Sequence, residues 1–274
     1  TTLRSESGYS DGRRPDEVRF IDDITEDLAR RDFTINAMAL SKSGELIDPF
    51  GGERDLANRL LRAVGDPRQR FAEDALRMLR AVRFAAEYGL AVEAGTWNAI
   101  VEMAPRINLI AIERVRMELE RITEGSDPAA GFRMLAESGL YRHFKAPLPL
   151  ERLTQTATDV LGAMAACGDG AVRWVRLFAT LGISPEEAGR LMRNLTFSRR
   201  KTEYIVHALA FGSAVASLAG REDRDASRVF KRLVLRHGKP AAERWLAAAS
   251  LDPETDVEHL ETARRWLAEM PVAD

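Results

Sequence analysis

Two patterns of hydrophobic and polar residues divide the chain, and the first covers residues 1–65. Short apolar runs alternate there with polar turns, which is typical of strands. We predict strands in TTLR and EVRFI (17–21), a polar loop between them, and one or two helical turns in EDLARRD. AMALSKSGELIDPF predicts a hairpin with its turn at residues 42–45, and LLRAVG (60–65) a last strand or extended connector.

From Pro67 onward the apolar residues recur at helical spacing. AEDALRMLRAVRFAAEYGL, residues 72–90, predicts a single helix closed by Gly89. Further helices are predicted in TWNAIVEMAPRI, ERVRMELERIT, PAAGFRMLAESGL, AVRWVRLFATLG, RKTEYIVHALAFGSAVASLAG and EHLETARRWLAEM. The predicted fold class is therefore mainly α with a small α+β part.

Composition narrows the class of protein only modestly. The 274 residues suffice for two domains, and 40 Lys and Arg balance 42 Asp and Glu. A nucleic-acid surface would therefore have to be a local basic patch. The single cysteine, Cys167, excludes an internal disulfide and suits the cytosol. No stretch has the length and apolarity of a membrane span, so we expect a soluble cytoplasmic protein with no membrane partner.

The segment RRDFTINA, residues 30–37, combines charge with an asparagine inside an apolar run. Asparagine is costly to bury without hydrogen-bond partners, so Asn36 suggests a group that it holds. Arg30 and Arg31 offer donors suited to phosphate oxygens, and Asp32 can accept from a ribose hydroxyl. The segment fits a nucleotide clamp, and it equally fits a solvated helix end capped by aspartate.

A second charged set lies on the predicted helix 72–90. Asp74, Arg77, Arg80 and Arg83 recur at every third residue, and the residues between them are mostly apolar. Such a stripe predicts an internal cleft, where buried charge needs partners. One interpretation is ion pairing of Asp74 with Arg77 and of Glu73 with Arg77 or Arg80. The other is a site that reads a base edge and neutralises phosphates.

Three further segments are weaker candidates. The polar loop SESGYSDGRRP, with Asp11, Arg13 and Arg14, could cover a site or be a surface turn. IAIERVRMELERI (110–122) predicts a helix with internal ion pairs. NLTFSRRKTEY (194–204) and FKRLVLRHGK (230–239) are candidate RNA-backbone contacts or solvated faces.

In this order, five segments resemble one family, the class II tRNA nucleotidyltransferases, which comprise bacterial CCA-adding enzymes and their poly(A) polymerase relatives. The segments are TTLRSESGYSDGRRPDEVRF, EDLARRDFTINAMAL, LIDPFGGERDL, VGDPRQRFAEDALRMLRAVRFA and IERVRMELERI. The resemblance is dense to about residue 145. It implies a partial nucleotidyltransferase head at 1–65, a neck with the nucleotide-template helix at 66–125, and a helical RNA-binding body at 126–274.

The resemblance also implies roles for the residues of both charged sets. Arg31, Asp32 and Asn36 would contact the ribose and triphosphate of the incoming nucleotide. Asp74 and Arg77 would pair with the Watson–Crick edge of CTP or ATP.

Supporting roles follow from the same resemblance. Arg80 and Arg83 would support phosphates or the template. The loop with Asp11, Arg13 and Arg14 would serve the switch from C to A addition, and IERVRMELERI resembles the neck motif that props the template helix.

The chain departs from the family where the metal ligands should be. The family's GG-x-x-R-D turn and D-x-D strand pair hold two magnesium ions, and we find neither in place. FGGERDL (50–56) is one residue short and matches another family segment, and Asp223-Arg224-Asp225 lies in a charged helical region. We therefore expect no catalytic carboxylate in this chain, with the magnesium ligands upstream of Thr1, and we expect both ends to be cuts.

The predicted function is addition of CCA to the tRNA 3′ end from CTP and ATP, with base choice by a protein template. A poly(A) polymerase of the same family is an alternative, although that relative more often has proline at the position of Ala75. A catalytically incomplete RNA-binding module is another. The predicted mechanism is in-line attack of the tRNA 3′-hydroxyl on the α-phosphate, with magnesium and release of pyrophosphate.

Overall fold

The chain forms two compact units, Thr1–Leu148 and Pro149–Asp274. The computed structural model describes residues 4–7, 17–20, 23–153, 160–218, 221, 223–252 and 255–270. Over these residues the fold is mainly helical with a few short strands, as predicted. The finer division into head, neck and body stays a prediction.

The strands of the first unit are short and pair in twos within its described part. They are β1 Arg4–Ser7, β2 Glu17–Phe20, β3 Ala39–Leu40, β4 Leu46–Ile47, β5 Leu60–Leu61 and β6 Ala91–Val92. The first two pairs are antiparallel, and β5 with β6 is parallel. β1 begins at Arg4 and so occupies residues that we predicted as loop.

The predicted hairpin is confirmed, with its turn one residue earlier than predicted. Ser41 accepts from the Gly44 N–H at 3.0 Å, and the Ser41 N–H donates to the Glu45 carbonyl at 2.9 Å. Gly44 has φ +84°, a conformation that glycine adopts without steric cost. The residues between β3 and β4 therefore close with the turn chemistry that the sequence indicated.

The helices of the first unit pack around one central helix, α4, which contacts α6 and α7. They are α1 Ile24–Ala29, α2 Gly52–Ala57, α3 Pro67–Glu73, α4 Leu76–Tyr88, α5 Ala94–Met103, α6 Ile112–Glu124 and α7 Pro128–Ser138. Short 3₁₀ turns occur at Thr34–Asn36, Ala104–Leu109 and Leu140–His143. The apolar face of α4 buries Met78 and Leu79 completely, so α4 is fixed in the core.

The prediction of one helix over residues 72–90 is wrong. α3 ends at Glu73 and α4 begins at Leu76, and Asp74 between them is extended at φ −147° and ψ 102°. The Asp74 carboxylate accepts from the Leu76 N–H at 3.1 Å, a local bond that aspartate offers in place of helix. The predicted end at Gly89 is confirmed, because Gly89 caps α4 with φ +60°.

The second unit is helical throughout its described part. Its helices are α8 Gly170–Thr180, α9 Pro185–Asn194, α10 Arg199–Val215, α11 Arg224–His237, α12 Lys239–Ala249 and α13 Val257–Ala268. α10 packs against α8, α9, α11 and α12, around Phe211 and Phe230. The spacing predicts α8, α10 and α13, and the start of α11 lies in the region predicted to be charged and helical, whereas α9 and α12 were not predicted.

None of the described helices combines the length and apolarity needed to cross a membrane.

Candidate functional site

A polar cavity of about 480 Å³ opens in the first unit, where four separate segments meet. It is lined by Arg30, Arg31, Asp32, Asn36, Asp74, Leu76, Arg77, Arg80, Phe84 and Arg114. The structure thus brings together six residues that the sequence predicted as nucleotide contacts: Arg31, Asp32, Asn36, Asp74, Arg77 and Arg80. They come from the turn after α1, the junction of α3 with α4, and α4 itself.

Asp32 organises one wall of the cavity, and its side chain is buried to about nine-tenths. Its Oδ1 accepts from the Phe33 N–H and from Asn36 Nδ2, both at 3.0 Å. Its Oδ2 accepts from Arg80 Nε at 2.8 Å and Nη2 at 2.7 Å. Asn36 is therefore tolerated beside an apolar run because it donates to Asp32 at the cavity edge.

Arg30 and Arg31 are both held by Asp27, a carboxylate that is 3% exposed. Arg30 donates to Asp27 Oδ1 through Nε at 3.1 Å and Nη2 at 2.6 Å. Arg31 Nη2 donates to Asp27 Oδ2 at 3.1 Å, while 43% of the Arg31 side chain stays exposed. Arg31 is the most exposed of the cavity arginines, so it is well placed to meet a ligand that enters from solvent.

Arg77 spans the cavity from α4 back to the turn after α1. Its Nη1 donates to Glu73 Oε2 at 2.8 Å and to the Arg70 carbonyl at 3.2 Å. Its Nη2 donates to the Arg30 carbonyl at 2.8 Å. The predicted ion pair of Glu73 with Arg77 is confirmed, and it coexists with the position of Arg77 in the cavity wall.

Asp74 pairs with Arg114 of α6, and the predicted pair of Asp74 with Arg77 is wrong. Arg114 Nη2 lies 2.7 Å from Asp74 Oδ2, and Arg114 Nη1 lies 3.3 Å from Asp74 Oδ1. Arg114 approaches from the first turn of α6, whereas Arg77 reaches toward Glu73 and Arg30. Apart from the likeness of IERVRMELERI to a supporting motif, nothing in the sequence indicated this long-range partner.

Arg83 lies outside the cavity lining, although its spacing placed it in the same stripe. It is 7% exposed, and it donates to Glu118 Oε2 and Glu87 Oε2, each at 2.7 Å. Its contacts therefore join α4 to α6, and they do not favour a contact of Arg83 with phosphate. The turn of α4 places Arg83 against α6 and the aromatic ring of Phe84 on the cavity side.

Phe84 is a cavity residue that sequence reasoning missed, because it looked like an ordinary core position. Its ring meets Phe33 edge-on with centroids 5.8 Å apart and stacks on Tyr88 at 5.9 Å. The guanidinium carbon of Arg80 lies 5.0 Å from the Phe84 centroid. Phe84 thus supplies an apolar surface between the cations of the cavity.

The segment DPFGGERDL, residues 48–56, packs against the RRDFTINA segment. Asp48 accepts from the Gly52 N–H at 2.7 Å and the Glu53 N–H at 3.0 Å. Burial opposes ionisation of Asp48, but these backbone donors outweigh it and lower the pKa of its carboxyl. A Cβ at Gly52 would lie 2.2 Å from the Thr34 carbonyl, so glycine is required for α2 to approach the RRDFTINA segment.

The charge of the cavity favours an anionic ligand. Five guanidinium groups face it, from Arg30, Arg31, Arg77, Arg80 and Arg114, against two carboxylates, Asp32 and Asp74. Guanidinium groups bind phosphate oxygens through paired N–H donors and stay charged at any working pH. The cavity therefore has the donor set for a polyphosphate and, in Asp74, an acceptor near it.

Two further predictions concern residues away from this cavity. The loop with Asp11, Arg13 and Arg14 lies outside the described residues. Within the described part of the chain, no group of three or more His, Cys, Asp or Glu side chains is arranged to hold a metal ion. Asp223 instead caps α11 by accepting from the Ala226 N–H at 2.8 Å.

Two parts of the first unit match known protein families. Residues 1–62 match the family described as Poly A polymerase head domain. Residues 89–148 match the family described as probable RNA and SrmB-binding site of polymerase A.

Individual relatives agree with these family matches. The CCA-adding enzyme of Limosilactobacillus reuteri (strain DSM 20016) is 52% identical over 143 residues, which are 52% of this chain and 36% of that protein. The CCA-adding enzyme of Latilactobacillus sakei subsp. sakei (strain 23K) is 43% identical over 198 residues, 71% of this chain and 48% of the relative. The chain thus matches between about a third and a half of these relatives' length.

A solved structure supports the fold over almost the whole chain. The crystal structure of the Bacillus stearothermophilus CCA-adding enzyme in complex with CTP has a TM-score of 0.74 and 30% identity, covering 99% of this chain and 64% of that one. The fold is therefore that of a solved CCA-adding enzyme. The chain is related to the CCA-adding enzymes in sequence and fold, and over residues 1–62 and 89–148 to the poly(A) polymerase family.

Proposed function

We propose that the protein acts in adding CCA to the 3′ end of tRNA, taking CTP and ATP and choosing between bases with its own side chains. The observation that carries this proposal is the placement of Asp74 and Arg77 side by side in a cavity rich in arginine. One offers a hydrogen-bond acceptor and the other offers donors.

The donors and acceptors left over at these residues match cytosine and adenine. A guanidinium has five N–H groups, and the contacts of Arg77 leave Nε and one N–H of Nη2 unused among the described residues. Cytosine and adenine each present an amino donor beside a ring nitrogen acceptor. An acceptor from Asp74 and a donor from Arg77 complement that edge, whereas uracil and guanine present a carbonyl where the amino group would be.

The remaining arginines fit the triphosphate. Arg31 is half exposed and contacts Asp27 through Nη2, so its other donors can reach phosphate oxygens. Arg80 is fixed by Asp32 and lies over Phe84, which gives the sugar an apolar neighbour. In this arrangement Asp32 and Asn36 line the part of the cavity wall that would face the ribose.

The described residues do not fit a magnesium site. In this chemistry magnesium activates the attacking 3′-hydroxyl and stabilises the leaving pyrophosphate. Its ligands would have to be residues other than those described. The tRNA partner rests on the relatives that are CCA-adding enzymes, and cytoplasmic location is the expectation that suits this substrate.

Equilibrium binding of CTP, ATP, GTP and UTP tests the proposal. We expect the chain to bind CTP and ATP more tightly than GTP and UTP. Asp74→Ala should reduce that preference by about tenfold or more, because a hydrogen bond to a charged group is lost. Asp225→Ala removes an exposed aspartate of α11 in the second unit and should leave binding unchanged.

The outcome also separates the proposal from its alternative. Equal binding of all four nucleotides by the unmodified chain would refute base choice at this cavity. Binding of ATP with exclusion of CTP would favour a poly(A) polymerase over a CCA-adding enzyme.

A further inference from the structure

We infer that Arg114 is a positioning residue for base choice: it holds the Asp74 carboxylate so that a single acceptor position faces the incoming base. The inference rests on the proposed function and adds a residue that decides its selectivity. It assigns Arg114 a part in discriminating amino from carbonyl groups on the base, in addition to any part in stability.

The acceptor positions of Asp74 can be accounted for individually. A carboxylate offers about four such positions, two on each oxygen. The Leu76 N–H at 3.1 Å and Arg114 Nη1 at 3.3 Å fill those of Oδ1. Arg114 Nη2 at 2.7 Å fills one on Oδ2. Among the described residues nothing else donates to Oδ2, so one acceptor position remains.

Arg114 also decides where that position points. Asp74 lies between two helices, in extended backbone, so no helix turn constrains its side chain. The Leu76 N–H contacts only Oδ1, and a single contact allows the carboxylate to rotate. The paired contacts of Arg114 remove that rotation, since a planar fork fixes the plane of the carboxylate that it binds.

Arg114 is itself held in place through α6. Glu118, one turn after Arg114 on α6, accepts from Arg83 Nε of α4 at 2.7 Å, in a contact that is buried on both sides. α6 therefore contacts the segment from Asp74 to the end of α4 at two points: Asp74, which precedes α4, and Arg83, which lies within α4. The distance between the base-reading carboxylate and α4 is set by a rigid helix.

The effect of Arg114 on base selectivity depends on Arg77, the neighbouring cation in the cavity wall. With Arg114 present, Oδ2 accepts from the amino group of cytosine or adenine and repels the carbonyl oxygen of uracil or guanine. Without Arg114 the carboxylate can turn away, and the unused donors of Arg77 remain. Those N–H groups can donate to a carbonyl oxygen as readily as to a ring nitrogen. Loss of Arg114 should thus admit UTP and GTP.

The test is the ratio of dissociation constants for UTP and CTP, and for GTP and ATP, measured on the full chain. Arg114→Met keeps much of the side-chain volume and removes the donors. We expect each ratio to fall about tenfold or more, with UTP binding at least as tightly as to the unmodified chain. Arg114→Lys, which supplies a donor without the fork, should restore part of the ratio.

Arg116→Met is the matched control, the same substitution on the same helix at a residue that pairs with Glu120. It should leave both ratios unchanged. A purely structural role for Arg114 would weaken all four nucleotides by a similar factor and keep the ratios, and that result would overturn the inference. The same holds if Arg116→Met lowers the ratios as much as Arg114→Met.

Two further outcomes are distinguishable from these. If Arg114→Met has lost its helical circular dichroism, the variant is unfolded and Arg114→Lys is compared with the unmodified chain instead. Lower ratios for Arg114→Lys support the inference, and equal ratios overturn it. If the unmodified chain has no preference among the nucleotides, the proposed function fails first, before any variant is compared.

Discussion

Glu118→Gln tests whether α4 and α6 are joined by a buried ion pair, and the structure allows its magnitude to be worked out. Glu118 is 3% exposed and accepts from Arg83 at 2.7 Å and from Arg121 at 3.1 Å. Glutamine keeps the size of the side chain, so no cavity is created. What changes is that the buried guanidinium of Arg83 loses its buried counter-charge.

Removing one partner of a buried ion pair typically costs about 3–5 kcal/mol, because the other charge is left uncompensated. Arg83 retains Glu87, whose side chain is 36% exposed and partly screened by water. We therefore expect a loss near the lower end, about 3 kcal/mol in the free energy of unfolding. For a chain of this size that corresponds to a fall in melting temperature of about 6–12 °C.

Urea unfolding followed by circular dichroism measures the loss, and hydrogen exchange with peptide resolution locates it. Faster exchange should concentrate in α4 and α6 and leave α8 to α13 unchanged. Glu87→Gln is the matched control, and its loss should stay below about 1 kcal/mol because its charge is partly solvated. Equal losses for the two variants would refute the reasoning that burial makes the Glu118 contact more stabilising than the Glu87 contact.

Two other predictions concern packing and pH. Gly131→Ala should destabilise the first unit by about 1–3 kcal/mol in urea unfolding, because the new Cβ would lie 2.5 Å from Ile122 Cγ2. Burial, helped by the charge of Arg236, lowers the pKa of His237 below its ordinary value of 6.5. The unfolded chain therefore binds this proton first, so stability should fall as pH drops below about 6.5 and level off below the folded pKa. His237→Gln should reduce that slope.

The packing prediction has a matched control. Gly162 is open on the side where a Cβ would lie, so Gly162→Ala should cost far less than Gly131→Ala. A similar loss for both glycines would mean that packing against Ile122 is not the cause. For the pH prediction, an unchanged slope in His237→Gln would contradict the assignment to His237.

Patterns within the sequence were enough to predict the fold class, the family resemblance and most of the residues that line the polar cavity. Local signals sufficed where the information is local: the turn at Gly44, the helix end at Gly89, and the spacing of Arg77 and Arg80 along one face of α4. The order of RRDFTINA, EDALR and IERVRMELERI carried the rest. These signals work because hydrogen-bonded turns and helix faces are set by neighbours within a few residues.

The partner that each charge takes depends on contacts between segments far apart in the sequence. Asp74 leaves the helix and pairs with Arg114, 40 residues further along the chain, instead of with Arg77. Arg83, which shares the spacing of Arg80, turns toward Glu118 and leaves the cavity. Spacing along a helix fixes which residues share a face, but a buried charge takes whichever counter-charge the packing of other helices brings within reach. That choice depends on the position of α6 relative to α4, which only the folded chain defines.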